Sequence, residues 1–378
     1  MTDFLAIALA LIFGLLFTRV TNIFKLPDVT AYLIAGVLIG PFCLGQLGIE
    51  GLGFTSLEAI EHLGFISDVA LGFIAFAIGN EFRLSHLKET GKQATVVGIL
   101  QALVTTLVVD AALLLLHVFL GDKLPVEAAI TLGAIAAATA PAATLMVVRQ
   151  YKAKGKLTDI LLPVVALDDA VGLAVFAVSF GIAEAIAGGS VSLLSILLEP
   201  LIEIVGSLLM GAILGALLTL LERLFHSNRN RTSLIIGFVL VTVGLSMLKF
   251  DIGPVHVGFS SLLVCMMLGS VFCNLCPLSE DLMERSDKWT APLLALFFVL
   301  SGAELELDVF TDIAVVGIGV VYILSRCLGK YVGAYGSCAL VHTDDNVKKY
   351  LGITLLPQAG VALGMCVTAR SLGQEGDL

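Results

Sequence analysis

The chain has 378 residues, 58% of them hydrophobic and 14% charged, with a mean hydropathy of +1.02 and a formal net charge of −10. A soluble protein of this length needs a far more polar surface, so that class is excluded. The apolar residues come in continuous runs of roughly 20, enough to cross a hydrocarbon core as a helix, and they lack the alternation of a barrel.

In chain order, the runs predict helices over 4–20, 28–43, 64–80, 94–118, 126–148, 158–185, 199–223, 233–249, 257–274, 289–303, 312–340 and 348–370. The opening MTDFLAIALALIFGLLF has no basic start and is expected to continue as a spanning helix rather than a cleaved leader. Between the second and third spans, GLGFTSLEAIEHL is expected to be a short amphipathic segment at the membrane surface. The basic residues then set a direction. The odd-numbered connections hold Arg19 and Lys25; Arg83, Lys88 and Lys92; Arg149, Lys152, Lys154 and Lys156; Arg223, Arg229 and Arg231; Arg285 and Lys288; and Lys348 and Lys349. The even-numbered ones hold only Lys123 and Lys249. Positive residues stay inside, which predicts cytoplasmic odd connections and an N-terminus outside.

The chain also repeats itself. FAIGNEFRL (76–84) resembles VLSGAELEL (299–307), aligning Gly79 with Gly302 and Glu81 with Glu304. VVGI recurs at 96–99 and 315–318, and TAPAAT (139–144) resembles LLPQAG (355–360), aligning Pro141 with Pro357. These matches pair the third span with the tenth, the fourth with the eleventh and the fifth with the twelfth. A shift of seven spans reverses direction through the membrane, so the halves are inverted copies, an architecture of secondary transporters that bind at the midplane. The sixth span then calls for a thirteenth: either the second half is incomplete by nature, or, as is expected here, the sequence is a shortened form of a longer chain.

The sixth span contains VVALDDAVGLAVF (164–176), with Asp168 and Asp169 about 15 Å deep at 1.5 Å per residue. Carboxylates there are costly and line a pathway or pair with a base. Deprotonated, the pair offers hard oxygen ligands to a small cation; protonated, it offers none, so ion and proton compete. In the fifth span, Pro141 among small residues breaks a helix and exposes backbone groups that can coordinate ions. The twelfth span holds the counterpart around Pro357, Gln358 and Gly360. Thr139 and Thr144 either add hydroxyl ligands or bond to local backbone. Arg326 and Lys330, four residues apart on one helix face, need an acid partner, and the two aspartates are the best placed. Asp110 is embedded nearer the outer side, while Glu81 and Glu304 end their spans as interfacial acids. Cys273 and Cys276 form one CxxC with no second pair to complete a zinc site. No nucleophile with a base and no phosphate loop is present, so an enzyme is not expected, nor is a cofactor or a nucleic-acid partner.

With LPDVTAYLIAGVLIGP (26–41), TAPAAT, LDDAVGL (167–173), SRCLGKYVGA (325–334) and LLPQAGVALG (355–364), the chain resembles the monovalent cation:proton antiporters. The likeness is strongest to the branch with sodium/proton antiporters of spore germination and glutathione-gated potassium efflux systems. The resemblance implies an all-α polytopic membrane protein with an inverted-repeat antiporter fold of thirteen helices, two of them discontinuous and crossed. It implies a homodimer in the cell (inner) membrane, with residues 1–80 and 233–303 as the scaffold and dimerisation part, 199–223 as a linker, and 94–185 and 312–370 as a mobile core. It assigns Asp169 as the shared ligand of the monovalent cation and the proton, and pairs Asp168 with Lys330. A double aspartate with this lysine is the pattern of electrogenic members, whereas an arginine near Arg326 is associated with electroneutral ones. The expected function is antiport of sodium, potassium or lithium against protons. A sodium-coupled solute symporter and a cation channel or sensor of the same fold stay open as alternatives.

Overall fold

A computed structural model of the chain describes residues 3–24, 26–49, 51–79, 82–186, 193–248, 250–252 and 255–358, with 362, 365, 366 and 369 beyond them. Among these, six helices are long and apolar enough to cross a membrane, and four shorter ones are apolar. The described α-helices, in order, are α1 (Asp3–Ile23), α2 (Asp28–Ile39), α3 (Leu57–Glu61), α4 (Gly64–Gly79), α5 (Leu84–Leu120), α6 (Val126–Ile135) and α7 (Pro141–Gln150). They continue as α8 (Lys156–Ile186), α9 (Leu193–Glu222), α10 (Asn228–Ser246), α11 (Ser261–Leu275), α12 (Ser279–Ala303), α13 (Ile313–Leu340) and α14 (Asp345–Thr354). The surface segment expected around 51–63 is α3, whose first turn is capped by the Ser56 hydroxyl accepting from the Ala59 N–H.

Two helix starts differ from expectation. The helix predicted over 94–118 begins ten residues earlier as α5, and the one predicted over 289–303 begins ten residues earlier as α12. Hydropathy cannot detect these polar first turns. Those of α12 are held by pairs one turn apart, Arg285–Asp281 at 2.9 Å and Lys288–Glu284 at 2.8 Å, and its leading acids Glu280 and Asp281 suit a helix N-terminus. The all-α class holds, with one short antiparallel pair, Phe250–Ile252 with Val255–Val257, in the connection between the helices predicted over 233–249 and 257–274. The alternating branched residues of FDIGPVHV favour a short hairpin over a helix end.

The helices pack in two groups. In one, α5 lies along α13 and also packs on α6 and α8, while α14 packs on α13 and α8. In the other, α2 and α1 pack on α12, α4 and α9 pack on α11, and α10 joins α4, α9 and α11. Two crossings in the second group are tight enough to demand glycine. A Cβ on Gly36 would lie 2.0 Å from Val299 O, and one on Gly302 would lie 2.1 Å from Leu33 O. Likewise a Cβ on Gly79 would lie 2.1 Å from Met266 O, and one on Gly269 would lie 2.1 Å from Phe76 O. The α2–α12 and α11–α4 crossings exchange under the shift of seven spans read from the sequence, so the inverted repeat is built into the packing.

The basic connections lie on one face and are tied together there. Gln150 Oε1 accepts from the Asp28 N–H at 3.0 Å, and Lys156 pairs with Asp344 at 3.0 Å. Arg83 reaches Glu280 at 3.5 Å and donates to Ser279 Oγ at 2.9 Å, and Asn228 donates to Asp281 at 3.1 Å. Gln93 donates to Val341 O at 3.4 Å, which links α5 to the α13–α14 connection.

Candidate ion site at the helix crossing

The fifth predicted span is split. Helix α6 ends at Ile135, residues 136–140 are unwound, and Pro141 opens α7, where its missing N–H costs nothing. Helix α14 ends at Thr354, ahead of Pro357. The two breaks touch: the Ala140 N–H donates to Pro357 O at 2.8 Å, and the Gln358 amide donates to Ile135 O at 2.8 Å. Beyond the second break, Ala362 and Met365 are helical and pack with Ala134, Ile135, Ala138 and Phe176. Gly360 lies outside the described residues, as does Glu81.

An interrupted helix leaves carbonyls without partners inside the membrane, and each must be satisfied locally. The cations of α13 meet that need. Arg326 donates from Nε to Ala136 O at 3.1 Å, from Nη2 to Ala138 O at 2.8 Å and from Nη1 to Leu356 O. One guanidinium therefore caps the C-terminal ends of both α6 and α14, where the helix dipoles favour positive charge. Lys330 donates to the remaining carbonyl, Ala137 O, at 2.6 Å. The lysine sits on α13 where it passes closest to α5: a Cβ on Gly329 would lie 2.9 Å from Thr105 Cα, and one on Gly333 would lie 3.0 Å from Gln101 Cα.

Asp168 and Lys330 are both fully buried and 3.1 Å apart. Thr139 donates to Asp168 Oδ2 at 2.5 Å and accepts from Lys330 at 2.9 Å. Gln101 donates to Asp168 Oδ1, and its Oε1 accepts from Lys330 at 3.0 Å. Both oxygens of Asp168 are thus taken by donors, and among the described residues the ammonium's three protons face four acceptors. Of the two basic residues offered as partners of the acid, Lys330 makes the ion pair, while Arg326 bonds to carbonyls. The reason is geometric, since Arg326 lies one turn along α13, level with the carbonyl ends. Asp169 follows Asp168 on α8, but its side chain lies outside the described part of the structure. Sequence reading missed Gln101, although an amide within VVGILQALVTT needs partners as much as a charge does. It also missed Tyr322, whose hydroxyl accepts from the Gln358 amide at 2.8 Å.

A cavity of about 570 Å³ leads to the crossing from the basic face. Its walls are α2, α7, α8, α12 and α14, from Tyr151 and Ala153 at one end to Ala140, Thr144, Pro357 and Gln358 at the other. Thr144 is buried there, and its hydroxyl has no hydrogen-bond partner among the described residues. Elsewhere in the first group, Val109, Leu113, Leu124, Ala129 and Ala136 pack with Ile318, Val321 and Tyr322 into an apolar cluster. Among the described residues no three ligating side chains cluster as a metal site, and Cys273 and Cys276 are both buried.

A family model described as "Sodium/hydrogen exchanger, transmembrane" matches residues 7–375. The chain belongs to the sodium/hydrogen exchanger family. Similar curated proteins include cation/H(+) antiporter 19 of Arabidopsis thaliana, 24% identical over 88% of this chain. They also include the K(+)/H(+) antiporter subunit KhtU of Bacillus subtilis, 22% identical over 96%, and the Na(+)/H(+) antiporter NhaS4 of Synechocystis, 23% identical over 92%. The chain spans 42% of the length of the first, 86% of the second and 83% of the third. Two solved structures of the sodium proton antiporter MjNhaP1 from Methanocaldococcus jannaschii share this family member's fold. Their TM-scores are 0.77 and 0.69 at 20% identity, over 99% and 98% of this chain and 87% and 89% of that one.

Proposed function

We propose that this chain is a secondary antiporter exchanging a monovalent cation for protons at the Asp168–Asp169 pair. The observation that carries the reading is the state of Asp168. It is fully buried, with both oxygens engaged by Lys330, Thr139 and Gln101. That leaves Asp169, one residue on and turned by about 100° around α8, as the acid whose ligands change. A carboxylate offers the same lone pairs to a cation and to a proton, so each displaces the other, and the two flows are coupled. Thr139 gives its hydroxyl proton to Asp168 and one lone pair to Lys330, so at most one further lone pair is left for a cation.

The grouping of the helices favours alternating access. In this reading α5–α8, α13 and α14 form the moving core, and the glycine-locked α1, α2, α4 and α10–α12 form the scaffold, with α9 as the linker. The cavity lies between the two groups on the basic face, which is an inward-facing arrangement if the basic face is cytoplasmic. The same orientation places the N-terminus outside, in a cell membrane, and the scaffold as the dimer contact. Relatives named for sodium and for potassium agree with carboxylate and hydroxyl ligands that suit either ion.

In proteoliposomes, sodium, lithium or potassium added to the protein is expected to dissipate an imposed proton gradient with saturable dependence on the cation. If none of the three does so, antiport of these ions is wrong. Flux without saturation or proton coupling would mean a channel, and uptake that needs both sodium and an organic solute would mean a symporter.

A further inference from the structure

We infer that Thr106 and Asp110 form a second cation-binding station, between the central site and the face opposite the basic loops; this rests on the exchange reading above. Asp110 lies within the apolar span of α5. Its Oδ1 is buried and has no hydrogen-bond partner among the described residues, and the same is true of Thr106 Oγ1. Thr106 itself is only 6% exposed. The two residues are four apart on one helix, so they share a face, one turn from each other. That face is turned toward α6. A Cβ on Gly133 would lie 1.7 Å from Asp110 Oδ1, so the carboxyl fills the space a side chain there would need.

Helices α5 and α6 are antiparallel neighbours. The step from Asp110 to Thr106 therefore follows α6 from Gly133 toward its break. Next to Thr106, Thr105 donates to Gln101 O at 2.7 Å, and Gln101 in turn holds both Asp168 and Lys330. Polar groups of α5 thus run from the far half of the membrane to the central site, beside an otherwise apolar wall of Val109, Leu113 and Ala129. Buried oxygens without donors are costly in such surroundings. A carboxylate and a hydroxyl one turn apart offer hard oxygen ligands to a monovalent cation that keeps part of its water shell. A cation moving between the far face and Asp169 would pause there.

The test is side-resolved exchange in proteoliposomes of uniform orientation, with sodium or potassium supplied to one face at a time. Asp110→Asn is expected to raise the KM for cation supplied at the far face by about tenfold, the loss of one charged ligand, with the basic-face KM at its wild-type value. Gly133→Ala, whose methyl displaces the carboxyl, is expected to give the same one-sided shift, and Asp110→Glu to recover part of it. A merely structural role would move both faces alike. If Asp110→Asn changes both KM values equally, or neither, while the wild type exchanges, the station does not exist. If the wild type exchanges no cation, the exchange reading falls and this inference falls with it.

Discussion

Lys330→Ala is expected to destabilise the protein by about 3–5 kcal/mol, the usual cost of removing one partner from a buried ion pair. The lysine serves four acceptors at once: Asp168, Thr139, Gln101 and Ala137 O. Without it, Asp168 keeps two donors but loses its counter-charge at zero exposure, and a carbonyl of the broken helix loses its donor. The loss arises from the stranded acid more than from the missing bonds, so the double variant Asp168→Asn/Lys330→Ala is expected to melt above the single one. Thermal unfolding in detergent reads both. If the double variant is less stable than Lys330→Ala by the full cost of a second lesion, the two residues are not coupled and the pair is not what holds Asp168.

Arg326→Ala is the second large effect. It removes the donors to Ala136 O, Ala138 O and Leu356 O, and each carbonyl left without a partner costs about 1–3 kcal/mol. Because one guanidinium caps both discontinuous helices, the variant is expected to loosen the crossing itself and to lose exchange along with stability. Arg326→Lys keeps the charge but not the fork, so it is expected to recover less than half of the lost stability. Full stability in Arg326→Lys would show that charge alone is needed there. The contrast with Lys330 matters for any account of charge movement: the arginine is committed to backbone, whereas the lysine faces the acid.

Much of this arrangement is legible in the sequence because membrane chemistry is unforgiving. Asp168 and Asp169 in an apolar run, and prolines at 141 and 357 among small residues, are all expensive unless they serve a site, and Asp168 and both prolines meet at one crossing. The order of the basic residues along the chain anticipated the single face on which their connections meet. What stayed hidden depends on distances that spacing alone does not set. Arg326 and Lys330 share a face one turn apart, and only the position of the α6 break decides which reaches carbonyls and which reaches the acid. Gln101 carries no charge and went unnoticed, yet it bridges both members of the ion pair. The early starts of α5 and α12 lie in polar sequence, where hydropathy gives no signal, and at α12 side-chain pairs decide. The hairpin at 250–257 arises from local β preference between two spans, below the resolution of a window about 20 residues wide.

In the proposed exchange, Asp169 is the acid shared by cation and proton while Asp168 is held in place. Exchange by Asp169→Asn in proteoliposomes, alongside its melting temperature, tests this most directly. The prediction is no cation-driven proton movement from a protein that still melts cooperatively as a folded chain. Cation-driven proton movement at the wild-type rate would remove Asp169 from the mechanism and contradict the account.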